Sequence, residues 1–391
     1  MTTTNTELRA WAYLSRVIEG PSRTLNQLLD AENTAVEIAH GIFNRREWVG
    51  DLLRETASRY HCDNSQEDLS KAAAQDIRLI YPGHSEWPTS LFDRAFGFAA
   101  TGLSPHLRTY QADAVAPHVL WLKGNGNLPA LTAQAVAIVG SRAVTRYGQT
   151  VTKAIATGLA QHQWTIISGG AVGVDSVAHR TVLAMQKPTI AIAACGLDFD
   201  YPASNRKLFN EIVKDGLQIS EYPPGRHPQR HRFLTRNRLV AALSQGVVAT
   251  QAAWRSGALN TLSWAEGLGR MAMAVPGPIT ESASLGCHAR IRNGSAQLVS
   301  SADEIRGLLT AIGTLDIEEQ FELQFSPTPI QGLSHNELRV YDAVSPDRAA
   351  DTQTIAQESG LTLTLTIHLL VELQQKNLIT LERGKWRKLD T

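Results

Sequence analysis

The chain has 391 residues and carries 37 Lys and Arg against 37 Asp and Glu, a formal net charge of zero. That length gives room for roughly two or three domains with an ample core. Cys62, Cys195 and Cys287 lie far apart, with no C-x-x-C or Cys/His grouping, which excludes a disulfide framework and a structural zinc site.

The opening MTTTNTELRAW lacks the basic-then-apolar run of a signal peptide, and no stretch approaches the roughly 18 apolar residues of a membrane span. A cytoplasmic protein is expected. Neutrality argues at first against a nucleic-acid partner, but the charge is unevenly spread. Residues 136–300 hold 17 Lys and Arg against 8 Asp and Glu, and the remainder 20 against 29. A basic middle between acidic flanks is the asymmetry of an anion-binding core.

Residues 1–75 show helical spacing at Leu8, Trp11, Leu14 and Val17, a break at Gly20-Pro21, and two further short helices. They predict a small helical, SAM-like N-terminal domain. No basic cluster marks a face of it, which favours a scaffold over a DNA-binding hairpin. Residues 76–134 contain two short strands, in DIRLIYPGHSEWP and HVLWLK, and read as an N-terminal elaboration of the domain that follows.

From residue 135 the pattern is strand, polar turn, helix, strand, Gly-rich turn, helix. The apolar run 135–139 ends at Gly140-Ser141-Arg142, and 165–167 ends at Ser168-Gly169-Gly170. Further strands are predicted at 189–194, 217–222, 246–250 and 271–275, with helices between them. This predicts an α/β core, residues 76–311, built as a Rossmann-like, doubly wound, mostly parallel sheet. Ligands of such sheets bind beyond the carboxyl ends of the strands, where the two Gly turns lie. Gly140 and Gly170 permit close backbone approach, each turn feeds a helix N-terminus, and Arg142 can fork onto a phosphate. Tight connection alone would explain the glycines; Arg142 puts the phosphate reading level with it. The turns are neither G-x-G-x-x-G nor a Walker loop, so no nucleotide cofactor is implied.

The stretch PPGRHPQRHRFLTRNR, residues 223–238, reads as a basic loop. It holds Arg226, Arg230, Arg232, Arg236 and Arg238, with Phe233 and no acid. Cations tracking a backbone with an aromatic for stacking describe a single-strand groove. The competing reading pairs these arginines with acids elsewhere in the chain.

Residues 312–330 are acidic and end in prolines, a linker. Residues 331–391 predict three helices, the first opened by a Ser334/Glu337 capping box, and a hairpin around Arg383-Gly384. That is a winged-helix-like domain. Its third helix offers only His368 and Lys376 as cations, so duplex reading is disfavoured and an auxiliary or protein-contact role expected.

Seven blocks in order between residues 136 and 299 resemble the DNA-processing protein A (DprA/Smf) family. They are AIVGSRAVTRYG, ISGGAVGVDSVAH, CGLDFDYPASN, ISEYPPG, FLTRNRLVAALS, RSGALNTLSWAEGLGR and AVPGPITESASLGCHARIRNGSAQLV. The resemblance implies a non-enzymatic, dimeric binder of single-stranded DNA that protects incoming strands and loads the RecA recombinase during natural transformation. It places the DNA contacts at Gly140, Ser141, Arg142, Arg230, Phe233, Arg236, Asn237 and Arg238, to which the reading of the turn and the basic loop adds Gly170 and Arg232, and implies no metal or cofactor. Four departures bear on it: Leu234 replaces the loop proline, Ala203 a lysine of some relatives, Gln251 an acid, and Arg180-Thr181 the small residues usual after His179.

The main alternative is a nucleotide-cleaving, phosphoribohydrolase-like enzyme, with Asp175, His179 and Glu221 as acid/base groups. The Thr261-to-Glu266 spacing is too long for that motif; Asp175 reads as a helix cap and His179 as a locally bonded residue. A third reading is an inert adaptor whose winged helix binds a partner.

Overall fold

The computed structural model describes residues 5–104, 111–310, 330, 333–345 and 348–389. The chain divides into two compact units, Met1–Ile312 and Gly313–Thr391. The expected linker, 312–330, lies outside the described residues except for Ile330.

The first unit opens with helices α1 (Asn5–Val17), α2 (Arg23–Asp30), α3 (Ala35–Phe43), α4 (Leu52–Glu55) and α5 (Ser65–Ala73). Ser22 caps α2, and Thr34 with Glu37 forms a full capping box on α3. Strands β1 (Ile77–Ile80) and β2 (Leu120–Lys123) follow, separated by helix α6 (Thr89–Ala100). Trp11, Leu14, Ile38 and Ile42 share one apolar cluster with Leu79 and Trp121, so the N-terminal helices cover a face of this strand pair. The Trp121 indole donates to Ser15 Oγ at 3.0 Å, satisfying a fully buried N–H.

The core then alternates: α7 (Leu128–Thr132), β3 (Ala135–Gly140), α8 (Arg146–Gln161), β4 (Thr165–Ser168), α9 (Val174–Ala184), β5 (Thr189–Ile192) and α10 (Arg206–Asp215). It continues with β6 (Leu217–Ser220), α11 (Arg230–Ala242), β7 (Gly246–Gln251), α12 (Ala258–Gly267) and β8 (Met271–Ala274). Helix α13 (Leu285–Arg292), β9 (Gln297–Leu298) and α14 (Ala302–Leu309) complete it.

One nine-stranded sheet runs β1-β2-β6-β5-β4-β3-β7-β8-β9. Every neighbouring pair from β6 to β9 is parallel; β1 and β2 add an antiparallel edge. Val136 and Ile138 of β3 join the cluster containing Ile155 of α8 and Ala178 of α9. Ala135 and Ala137 join the opposite cluster with Leu239 of α11 and Leu262 of α12. Burial on both faces is why the strand reads as an unbroken apolar run. The chain starts mid-sheet at β3, winds outward through β4, β5 and β6, then returns to β7 on the other side. The order reverses between β3 and β7, the topological switch point of a Rossmann-like fold.

The second unit has α15 (His335–Ala343), α16 (Thr352–Ser359), α17 (Leu363–Gln375) and the hairpin β10 (Ile379–Glu382) and β11 (Lys385–Lys388). Arg383 and Gly384 both have positive φ, as a two-residue hairpin turn requires. The Ser334/Glu337 capping box forms, and Val340, Leu370, Leu373 and Trp386 fill a separate small core. Three helices and a wing make it winged-helix-like.

Candidate nucleic-acid interface

At the switch point, Gly140 ends β3 opposite Gln251 of β7. Gln251 organises the turn after Gly140. Its Oε1 accepts from the Thr145 N–H at 2.9 Å, its Nε2 donates to Thr145 Oγ1 at 2.8 Å, and its carbonyl accepts from the Ser141 N–H at 2.7 Å. A neutral amide both donates and accepts here, which an acid in its place does not. Helix α8 starts only at Arg146, and the amides of Ser141, Ala143 and Thr145 already have internal acceptors. Those three amides are committed within the turn. Arg142 projects from a turn braced on both sides.

The second turn packs onto the first. The Val174 N–H donates to the Ser141 carbonyl at 3.1 Å, and Gly173, with φ of +90°, brings its α-carbon against residues 141 and 142. A Cβ there would lie 2.6 Å from the Arg142 carbonyl oxygen, so only glycine fits. Asp175 does not cap α9, whose N-cap is Gly173. Its carboxylate turns back and accepts from the Gly169 and Ala171 N–H groups at 3.2 and 3.3 Å. From the other side, Arg236 donates to the Gly169 carbonyl at 2.7 Å and to the Ile192 carbonyl. The Gly169–Gly170 turn is held between a buried carboxylate and a buried guanidinium. Burial pushes the Asp175 carboxyl up, while Arg236 and the turn amides pull it back; burial lowers Arg236.

These turns line a crevice of about 580 Å³ whose walls include Gly140, Gly169, Arg230, Phe233, Gly257 and Thr261. At its mouth the Arg142 guanidinium carbon stands 5.8 Å from the Phe233 ring centroid, and the Tyr201 and Phe233 rings are 5.4 Å apart. Arg142, Arg230 and Tyr201 are exposed and Phe233 half-buried. Tyr201 joins the constellation without having been singled out as a site residue. The signal was its place in the CGLDFDYPASN loop, beyond the carboxyl end of β5.

The stretch read as a basic loop is a loop only to Gln229; from Arg230 it is helix α11. That changes what its arginines do. Arg232 is 3% exposed, donates through Nε to Glu19 at 2.8 Å, and lies over the Tyr222 ring. Burial would raise the Glu19 carboxyl, but the Arg232 hydrogen bond and charge, with Arg226 and Arg59, hold it below its ordinary value. Arg238 is fully buried in an ion pair with Glu221, and Asn237 donates to Asn260 at 3.0 Å. Arg232 and Arg238 are thus buried against acids, as the competing pairing reading had it; Arg236, bonded to backbone carbonyls, and Asn237 line the crevice wall with Arg230, Phe233 and exposed Leu234. Gly170, at φ of +68° against Phe209, shapes the β4 turn. Ala203 is exposed just before α10.

The groups considered for acid/base work are spent on structure. His179 is fully buried, its Nδ1 2.8 Å from Thr189 Oγ1. That hydroxyl donates to the Ile166 carbonyl, so the imidazole Nδ1 is the donor and Nε2 carries no proton. Burial depresses its pKa to about 3. Glu221 is buried against Arg238. Among the described residues, no group of His, Cys, Asp and Glu is placed to hold a metal ion, and no helix is long and apolar enough to cross a membrane.

Sheet order and crevice define a Rossmann-like, doubly wound α/β protein with its site at the switch point. The family model for DNA recombination-mediator protein A matches residues 80–310. A putative DNA processing protein DprA of Mycobacterium tuberculosis is 41% identical over 385 residues, spanning 97% of this chain and 94% of its own length. The DNA processing protein DprA of Streptococcus pneumoniae is 40% identical over 190 residues, 49% of this chain and 66% of its own. The X-ray structure of DprA from Streptococcus pneumoniae superposes with a TM-score of 0.60 at 28% identity, over 80% of this chain and all of that one. The chain belongs to the DNA recombination-mediator protein A family.

Proposed function

We propose that this chain binds single-stranded DNA across the switch-point crevice and delivers it to a RecA-class recombinase during uptake of DNA, acting in the cytoplasm as a homodimer and without catalysis. One arrangement carries the reading: exposed Arg142 and Arg230 flank the Tyr201–Phe233 ledge, over turns that Asp175, Arg236 and Gln251 hold fixed. Phosphates meet the two guanidiniums and a base stacks on the aromatic ledge. Backbone contacts of this kind position a strand without reading its sequence. Single strands are favoured because a duplex keeps its bases stacked on each other, away from the ledge. Family membership supports the recombination role, and the structural use of Asp175, His179 and Glu221 supports a binder over a hydrolase.

The test is fluorescence anisotropy of a labelled single strand with unlabelled single-stranded or duplex competitor, followed by recombinase filament formation on strands precoated with single-strand-binding protein. Preferential displacement by single strands and faster filament growth are expected. Equal displacement by duplex, or release of ribose phosphate from nucleotides, would contradict the proposal.

A further inference from the structure

Beyond the crevice, the loop between β7 and α12 carries an indole and a guanidinium that the site described above does not use. Trp254 is 59% exposed and Arg255 is exposed. Among the described residues, no carboxylate forms an ion pair with Arg255. A tryptophan so exposed leaves most of its apolar face in water, an arrangement that folding alone does not favour.

The loop is rigid. The Gly286 N–H donates to the Ala252 carbonyl at 2.8 Å, the Ser256 N–H to the Ala253 carbonyl at 3.0 Å, and the Ala258 N–H to Ser256 Oγ at 3.3 Å. It is also a dividing wall. Its far end, Gly257 and Ala258, lines the crevice, whereas Trp254 and Leu259 line a neighbouring depression of about 390 Å³ between α12 and α13. Asn293 and Ser295 border that depression with polar groups. Its acid, Glu266, is neutralised by Arg290 at 3.0 Å, and residues 252–265 contain no other acid. The wall from Gly257 to this depression thus adds no unpaired acid of residues 252–266, and it presents a cation and an exposed aromatic face.

We propose that Trp254 and Arg255 form a second contact for the same single strand, an unpaired base stacking on the indole above the α12–α13 depression and a phosphate meeting Arg255. This rests on the crevice binding single strands and extends its footprint past the switch point. Charge pattern and continuity with the crevice select a nucleic-acid strand over an apolar protein segment, which would not need Arg255.

The test compares wild type, Trp254→Ala, Trp254→Phe and Arg142→Ala by anisotropy, using thymidylate strands of about 6 and about 20 nucleotides. The longer strand is expected to bind Trp254→Ala roughly tenfold more weakly, within the range of one lost stacking contact, and Trp254→Phe nearly as well as wild type. The shorter strand, filling the crevice alone, binds all Trp254 variants equally and loses affinity in Arg142→Ala. Unchanged binding of the longer strand by Trp254→Ala, while Arg142→Ala is impaired, overturns this inference and leaves the crevice reading intact. A change in Trp254→Ala confined to self-association, with DNA affinity unaltered, overturns it equally. No binding of either strand by wild type would remove both.

Discussion

Arg236 and Gly169 are joined through a nearly buried side chain in the crevice wall: the guanidinium donates to the Gly169 carbonyl at 2.7 Å while Asp175 accepts from the amide of the same residue. The turn facing the crevice is therefore held from both sides. Arg236→Ala strands the Gly169 and Ile192 carbonyls and leaves Asp175 without its countercharge, at a cost of about 2–5 kcal/mol. Urea unfolding measures it. Arg236→Lys, which keeps the charge but not the fork, is expected to recover less than half of the loss. A variant as stable as wild type would show that the turn holds itself.

Glu19 and Arg232 tie the N-terminal helices to α11, reinforced by Arg16 donating to the Pro224 carbonyl and Arg226 to the Arg16 carbonyl. A double-mutant cycle with Glu19→Gln and Arg232→Met is expected to return a coupling of about 1–3 kcal/mol. DNA affinity and its salt dependence should change little in Arg232→Met, because this arginine is committed internally. Loss of DNA binding in a variant that remains folded would place Arg232 at the interface instead.

Two buried histidines make the first unit acid-sensitive. Burial lowers the pKa of His118 to about 4 and of His179 to about 3, from 6.5. With folded values depressed, the unfolded chain takes up protons first as pH falls. The contribution is complete above about pH 6.5 and is lost progressively toward about pH 4 and below, each histidine adding a slope of about 1.4 kcal/mol per pH unit. Urea midpoints at about pH 7.5 and about pH 5.5 should differ accordingly, and less so in His179→Gln. A pH-independent midpoint over that range would contradict the assigned neutral state.

Much of this architecture is legible in the sequence because strands buried on both faces print themselves as apolar runs: AVAIVG, TIIS and GVVATQ became β3, β4 and β7 within a residue or two. The Ser334/Glu337 box and the Arg383-Gly384 turn were equally plain, each resting on local backbone chemistry. Helix α6 is less legible: Phe92, Ala95, Phe96 and Ala99 recur at helical spacing, but the turn residues before it give the segment the look of a connector. Helix α11 was hidden for a different reason. Its buried residues include Arg232, Arg236 and Arg238, so the periodicity that betrays a helix is written in cations. The same fact tempers the basic balance of residues 136–300, since three of those charges are buried. Arg142 was identifiable because a cation in a glycine turn has few local partners; the clamps on that turn, Gln251 and Arg236, come from distant sequence and only the fold brings them there.

The most direct test of the account is the salt dependence of single-strand binding in wild type and Arg142→Ala. Each phosphate contact removed lowers the slope of log affinity against log salt by about 0.7 for single strands. The account predicts strong, salt-sensitive binding by wild type, with Arg142→Ala weaker and shallower by about that amount. Equal affinity and equal slope in the two proteins would contradict it and move the binding surface away from the Gly140–Arg142 turn.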